Sequence, residues 1–117
     1  MRTRVHGTAV RGVDVGPETG CAHYDGATDV IALRFGCCGE FFACAACHDA
    51  VAGHDSEPWP RDRFDDAAVL CGRCGATLAV RTYLDAEFAC PECGAAFNPG
   101  CAAHYDRYFE GVDPADG

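Results

Sequence analysis

Short β-rich segments broken by glycine, ten cysteines in 117 residues, and three cysteine pairs at C-x2-C spacing together predict a small α+β fold stabilised by metal. The fold is expected to be irregular, with short strands and hairpins, cysteine knuckles and one or two short helices. A chain of this length makes one domain. With 14 glycines and no long apolar periodic run, it needs a source of stability beside its core. Disulfides are one option. The start, Met1-Arg2-Thr3-Arg4-Val5-His6-Gly7, lacks the apolar stretch and cleavage site of a secretory leader. In a reducing cytoplasm the thiols stay free, and the same spacings read as metal sites.

The domain is expected over residues 1–110, as an extended arm (5–20) on a ligand-bearing body (21–104), with 111–117 a disordered acidic tail. The arm contains spaced valines and glycines that suit extended chain packed on the body. TDVIALRF (28–35) is rich in β-branched and aromatic residues and reads as a strand. Residues 40–43 are its hairpin partner across the turn Gly36-Cys37-Cys38-Gly39. Residues 44–52 are alanine-rich and suit a short helix ended by Gly53. Two prolines make 55–62 a loop. Val69-Leu70 leads into the knuckle Cys71-Gly72-Arg73-Cys74-Gly75, a second strand is expected over 77–84, and Cys90-Pro91-Glu92-Cys93-Gly94 forms the next turn.

The net charge of −9 arises from 18 acidic residues against nine arginines, with no lysine. Phosphate neutralisation needs clustered cations, so nucleic acid is a poor partner for this chain. No run of about 18 apolar residues exists to span a membrane. The charge otherwise reads as a solubilising surface.

Candidate ligands are Cys21, His23, Cys37, Cys38, Cys44, Cys47, His48, His54, Cys71, Cys74, Cys90, Cys93, Cys101 and His104; His6 stands apart. Zinc takes four thiolate or imidazole donors in a tetrahedron. The pairs Cys44/Cys47, Cys71/Cys74 and Cys90/Cys93 have C-x2-C spacing, and two are followed by glycine, which tolerates the positive φ of a knuckle. Scattered core cysteines have no reason to fall at that interval. Cys21 and His23, two apart on extended chain, share a face. Cys37 and Cys38 are awkward disulfide partners, because a trans peptide holds Cα atoms about 3.8 Å apart where an unstrained disulfide wants roughly 4.4–6.8 Å. Each adjacent ligand pair, Cys37/Cys38 and Cys47/His48, is read as a fork between two ions. His48 and His54, six residues apart, are assigned to different ions as well.

Cys21-Ala22-His23-Tyr24, followed by the double cysteine, by Cys44-Ala45-Ala46-Cys47-His48, by His54 and by two further C-x2-C pairs, resembles the CHY-type zinc finger family. The likeness runs from about Cys21 to Cys93 and continues through FNPGC and HYDRYFE, as in small stand-alone microbial members. It implies about three zinc ions on the twelve matching positions: Cys21, His23, Cys37, Cys38, Cys44, Cys47, His48, His54, Cys71, Cys74, Cys90 and Cys93. Keeping neighbours apart groups Cys21, His23, Cys44 and Cys47; then Cys37, His48, Cys71 and Cys74; then Cys38, His54, Cys90 and Cys93. The rival grouping takes Cys71, Cys74, Cys90 and Cys93 as one all-cysteine site with zinc-ribbon spacing, leaving Cys37, Cys38, His48 and His54 as another. Cys101 and His104, at C-x2-H spacing, are either an additional site or a buried thiol and a surface histidine.

No catalytic constellation is visible: HExxH is absent, as is the deaminase signature. The chain has no room for a RING domain after Cys93, so ligase activity is not carried over from larger family members. Two readings remain. One is a structural zinc module that binds a protein partner, with Trp59, Phe64, Tyr105, Tyr108 and Phe109 as candidate contacts, although at least three of these are expected to cap the core. The other is a zinc- or thiol-handling helper, because small mitochondrial members that the chain resembles are linked to zinc handling in oxidative protein import.

Overall fold

The N-terminal arm is a hairpin that belongs to the sheet. Strand β1 (Arg2–Val5) pairs antiparallel with β2 (Thr8–Arg11). The two residues between them, His6 and Gly7, have φ of 50° and 85°. Positive φ at both central positions is what a type I′ turn requires, and that turn matches the twist of its flanking strands. A computed structural model of the chain describes residues 2–13, 15–16, 19–21, 29–86, 88–97 and 105–112.

Strand β3 (Ile31–Arg34) and β4 (Phe41–Phe42) form the expected hairpin around the double cysteine, with Leu33 opposite Phe42. The other edge of β4 takes β2 in parallel, pairing Val10 with Phe41 and Arg11 with Phe42. On the far side of β3 lies β5 (Ala67–Cys71), antiparallel, with Ile31 opposite Cys71. Strand β6 (Thr77–Ala79) closes the order β1-β2-β4-β3-β5-β6. The strand expected over 77–84 stops at Ala79, and the chain turns into a helix, α2 (Val80–Asp85). The sequence carries the reason: Val80, Tyr83 and Leu84 stand at i, i+3 and i+4, a helical stripe, and Val80 and Tyr83 are buried. Helix α1 (Ala45–Val51) follows β4, a 3-10 turn occupies Arg61–Arg63, and a short helix, α3 (Tyr105–Tyr108), lies near the C-terminal end.

The sheet is covered on both faces. Alternation along β3 sends Ile31 and Leu33 to one side and Ala32 to the other. Ile31 and Leu33 join an aromatic core of Phe35, Phe42, Trp59, Phe64, Tyr83, Phe97, Tyr108 and Phe109. A register shift between Ala67 and Val69 lets the consecutive Ala68 and Val69 both enter it. Ala32 meets Val5, Val10 and Leu70 in a smaller cluster that also contains Cys21, Cys44 and Cys47. Of the five aromatics considered as partner contacts, Trp59, Phe64, Tyr108 and Phe109 are core residues and Tyr105 is half-buried. Trp59 donates its backbone N–H to Tyr108 O (2.8 Å), and Glu110 N–H returns a bond to Trp59 O (3.0 Å). The 55–62 loop is therefore stitched to the C-terminal segment. Each fully buried Phe or Trp contributes about 2–3 kcal/mol of apolar transfer, so the core is more substantial than the glycine content suggests.

Candidate metal centres

Three clusters of donor atoms emerge, each with its atoms within 4.8 Å of one another: Cys71, Cys74, Cys90 and Cys93; Cys37, Cys38, His48 and His54; and Cys21, Cys44 and Cys47.

The all-cysteine cluster joins two knuckles. In each, the glycine after the second cysteine donates its N–H to the carbonyl of the first: Gly75 to Cys71 and Gly94 to Cys90, both 2.8 Å. Sγ of Cys71 lies 3.8 Å from Cys93, and Cys74 lies 3.8 Å from Cys90. A tetrahedron of thiolates about 2.3 Å from zinc has edges of about 3.8 Å, so the donors stand where the ion needs them. The N-terminal hairpin lies over this knuckle, with His6 Nε2 2.9 Å from Gly72 O. Burial pushes the Cys71 thiol up to about 12, against the pull of the Cys74 and Arg73 N–H groups. A thiol so placed becomes a thiolate when a cation takes the proton's place.

The mixed cluster is built from α1, the β3–β4 turn and the loop after α1. The His48 ring is wholly buried between Phe35 and Phe42, with both centroids 4.6 Å away. Its Nε2 lies 3.2 Å from Cys37 Sγ, while Nδ1 has no hydrogen-bond partner among the described residues. The closeness of Nε2 to a donor sulfur makes it the ligand atom, which leaves the proton on Nδ1. Burial, and the charge of His54, hold His48 below the usual imidazole range, so the ring is in its neutral, ligating form at neutral pH. Sγ atoms of Cys37 and Cys38 are 3.9 Å apart, and the His48 and His54 rings meet edge to face at 4.9 Å.

This arrangement corrects the fork at the double cysteine. Cys37 and Cys38 serve one cluster, as do His48 and His54, and the rival grouping with Cys74 and Cys93 together is the one present. Opposed side chains are a property of extended chain, but residues 36–38 form a turn closed by Gly39 N–H to Phe35 O (2.8 Å), and in a turn neighbours can converge. Assigning His48 and His54 to different ions presumed a continuous helix, on which six residues turn by about 240°; α1 ends at Val51, and Gly53, at φ 72°, redirects the chain. The other fork stands: Cys47 and His48, successive on α1, go to different clusters.

In the three-cysteine cluster Cys44 caps α1, its Sγ accepting the Cys47 N–H at 3.3 Å. Cys21 Sγ lies 3.7 Å from Cys44, again a tetrahedral edge. Val13 donates its N–H to Cys47 Sγ (3.4 Å), and a Cβ on Gly12 would fall 2.8 Å from the same sulfur. The Cys47 side chain and burial both raise the Cys44 thiol. The fourth donor expected here, His23, lies outside the described residues, as do Cys101 and His104. Sulfur separations of 3.7–3.9 Å are nearly twice a disulfide bond of about 2.05 Å, so these thiols face one another as donors.

A profile of the CHY zinc finger family matches residues 21–108. The chain belongs to the CHY zinc finger family. Its three cysteine and histidine clusters could each bind a zinc ion. Helper of Tim protein 13 of Saccharomyces cerevisiae is 38% identical over 113 residues, covering 92% of this chain and 96% of the relative. The Kluyveromyces lactis protein of the same name is 41% identical over 95 residues, 81% of this chain and 82% of its own. An uncharacterized protein of Schizosaccharomyces pombe is 42% identical over 103 residues, 88% and 90% respectively. The side chains that hold the candidate ligands in place were not read from the sequence: Phe35 and Phe42 around His48, Gly12 against Cys47, and Tyr108, whose hydroxyl accepts the Ala45 N–H at the start of α1 (3.1 Å). The available signal was the run Phe41-Phe42, two residues ahead of a ligand-bearing helix. No described helix is long and apolar enough to cross a membrane.

Proposed function

We propose that this protein is a zinc-handling helper: it carries about three zinc ions, keeps its fold through most of them, and gives up or takes on zinc when it meets a client protein. The observation that carries this is the extent of the likeness to proteins named Helper of Tim protein 13, which spans 96% of the yeast relative, so the region shared with this chain is nearly all of that helper. The mixed cluster supports the reading, because two of its four donors, Cys38 and His54, are exposed. Four buried aromatics speak against an aromatic docking patch on those residues. Action is by ligand exchange rather than by catalysis, and a reducing compartment such as the cytoplasm suits thiolate donors.

The test pairs the zinc-loaded protein with a reduced four-cysteine peptide and follows the zinc content of both together with far-UV circular dichroism. Zinc should pass to the peptide while the spectrum holds. If zinc moves only as the spectrum collapses, the ions are purely structural, and the competing reading of a fixed interaction module takes over.

A further inference from the structure

The three clusters differ in charge and in how their ligands are held. Four thiolates leave two negative charges around a zinc ion and the three described thiolates of the Cys21 cluster leave one, whereas two thiolates and two neutral imidazoles leave none. Electrostatic retention is therefore weakest in the mixed cluster. In the all-cysteine cluster the exposed donors, Cys74 and Cys93, each sit in a hydrogen-bonded knuckle with a buried donor, Cys71 or Cys90. In the mixed cluster His48 is locked between phenylalanines, and Cys38 shares a turn with half-buried Cys37. His54 is different. It is exposed, three residues beyond the end of α1, on a stretch with no regular secondary structure.

One side chain from a distant part of the chain braces that stretch. Arg107, on α3, puts Nη2 3.0 and 3.1 Å from the Asp49 carboxylate oxygens and 3.1 Å from Ser56 Oγ. Asp49 directly follows His48, and Ser56 lies two residues past His54. Arg107 thus spans the two segments that bear the two imidazoles. With Arg107 and Asp49 side chains 37% and 55% exposed, solvent screens the pair. Such a brace biases an equilibrium by no more than about five-fold.

Resting on the zinc-handling reading, we propose that zinc is exchanged at the Cys37–Cys38–His48–His54 cluster, that His54 is the donor that lets go, and that Arg107 is the positioning residue that sets how readily it does. In the step, the bond from His54 to zinc breaks and a bond from an incoming donor forms. The imidazole leaves neutral, and no electron moves.

The experiment mixes zinc-loaded full-length protein with the chromogenic chelator 4-(2-pyridylazo)resorcinol and follows release by absorbance, with circular dichroism in parallel and cobalt-substituted protein to identify the ion by its thiolate-to-metal bands. One ion should leave in a fast phase with the fold intact, carrying the signature of a two-sulfur site. Arg107→Gln and Ser56→Ala should each speed that phase about two- to five-fold without changing the slow phase, with Arg107→Lys between. His54→Ala should abolish the fast phase; should that variant fold poorly, Ser56→Ala alone still decides through the ratio of fast to slow rates. A fast ion with a three- or four-sulfur signature, or a fast phase indifferent to both Arg107→Gln and Ser56→Ala, overturns the assignment and leaves zinc handling standing. Release of every ion together with unfolding overturns zinc handling itself.

Discussion

Gly36→Ala tests the join on which the mixed cluster depends. Gly36 precedes the double cysteine, and its N–H donates to Glu57 O at 2.9 Å, tying the cysteine turn to the loop that carries His54. A Cβ at this position would lie 2.3 Å from Pro58 O and 3.2 Å from Pro60 Cδ. The nearest atom is backbone and cannot rotate away, so the loop must retreat until that contact reaches at least 3.0 Å. Overpacking of this kind costs about 1–3 kcal/mol, and the strained hydrogen bond adds about 1 kcal/mol. At about 4 °C per kcal/mol for a chain of this size, the melting temperature should fall by about 8–16 °C. Gly53→Ala is the matched control: its φ of 72° makes a side chain strained, but nothing lies within 4 Å of the added Cβ. Only the left-handed backbone cost of about 1–2 kcal/mol applies there, or about 4–8 °C. The assay is differential scanning calorimetry of zinc-loaded protein at fixed free zinc, with metal analysis of each sample. If Gly53→Ala melts lower than Gly36→Ala, or Gly36→Ala melts within about 2 °C of the parent, the close approach of turn and loop is not what holds this part of the chain.

Three further outcomes are expected. Tyr108→Phe removes the acceptor of the Ala45 N–H in a buried setting, costing about 1–3 kcal/mol, measurable as a shift of the urea midpoint with unchanged slope. Cys38→Ala should lower the zinc content by about one ion per chain and lower the melting temperature far more than Cys101→Ala does; equal melting temperatures for the two would count against placing Cys38 among the ligands. Phe42→Ala opens the wall beside His48 and in the core and should cost about 3–5 kcal/mol, with a circular dichroism melt as the readout; a loss below about 1 kcal/mol would mean that the ring is not packed as described.

Much of the local structure was legible because each signal was local. The strand expected over 28–35, found at 31–34, its turn through Cys37 and Cys38, and the helix expected over 44–52, found at 45–51, all follow from composition over a few residues. The strand expected through 84 failed where two periods overlap: the apolar residues of TLAVRTYL satisfy a strand up to Ala79 and a helix from Val80 onward. Candidate donors could be picked out by spacing, and the clusters among the described residues are made of them, but their grouping could not be read that way. Whether Cys38 diverges from Cys37 depends on the backbone of a four-residue turn, and whether His54 reaches His48 depends on where α1 stops. Neither is encoded in the interval between ligands. The braces were the least legible. Arg107 to Asp49, Tyr108 to Ala45 and Trp59 to Phe109 join positions about 50 or more residues apart, and nothing in either partner's neighbourhood announces the other.

Helix α1 supplies donors to two clusters from residues 44–48, yet its first free N–H is met by the hydroxyl of Tyr108. A chain leaves the ribosome from its N-terminal end. The segment that presents Cys44, Cys47 and His48 is therefore synthesised long before the side chain that seals its start. During translation the donors of the mixed cluster are already out while Arg107 and Tyr108 are still to be made. A nascent chain of this protein therefore passes through a stage in which most of its candidate zinc-binding groups exist before the side chains that brace them.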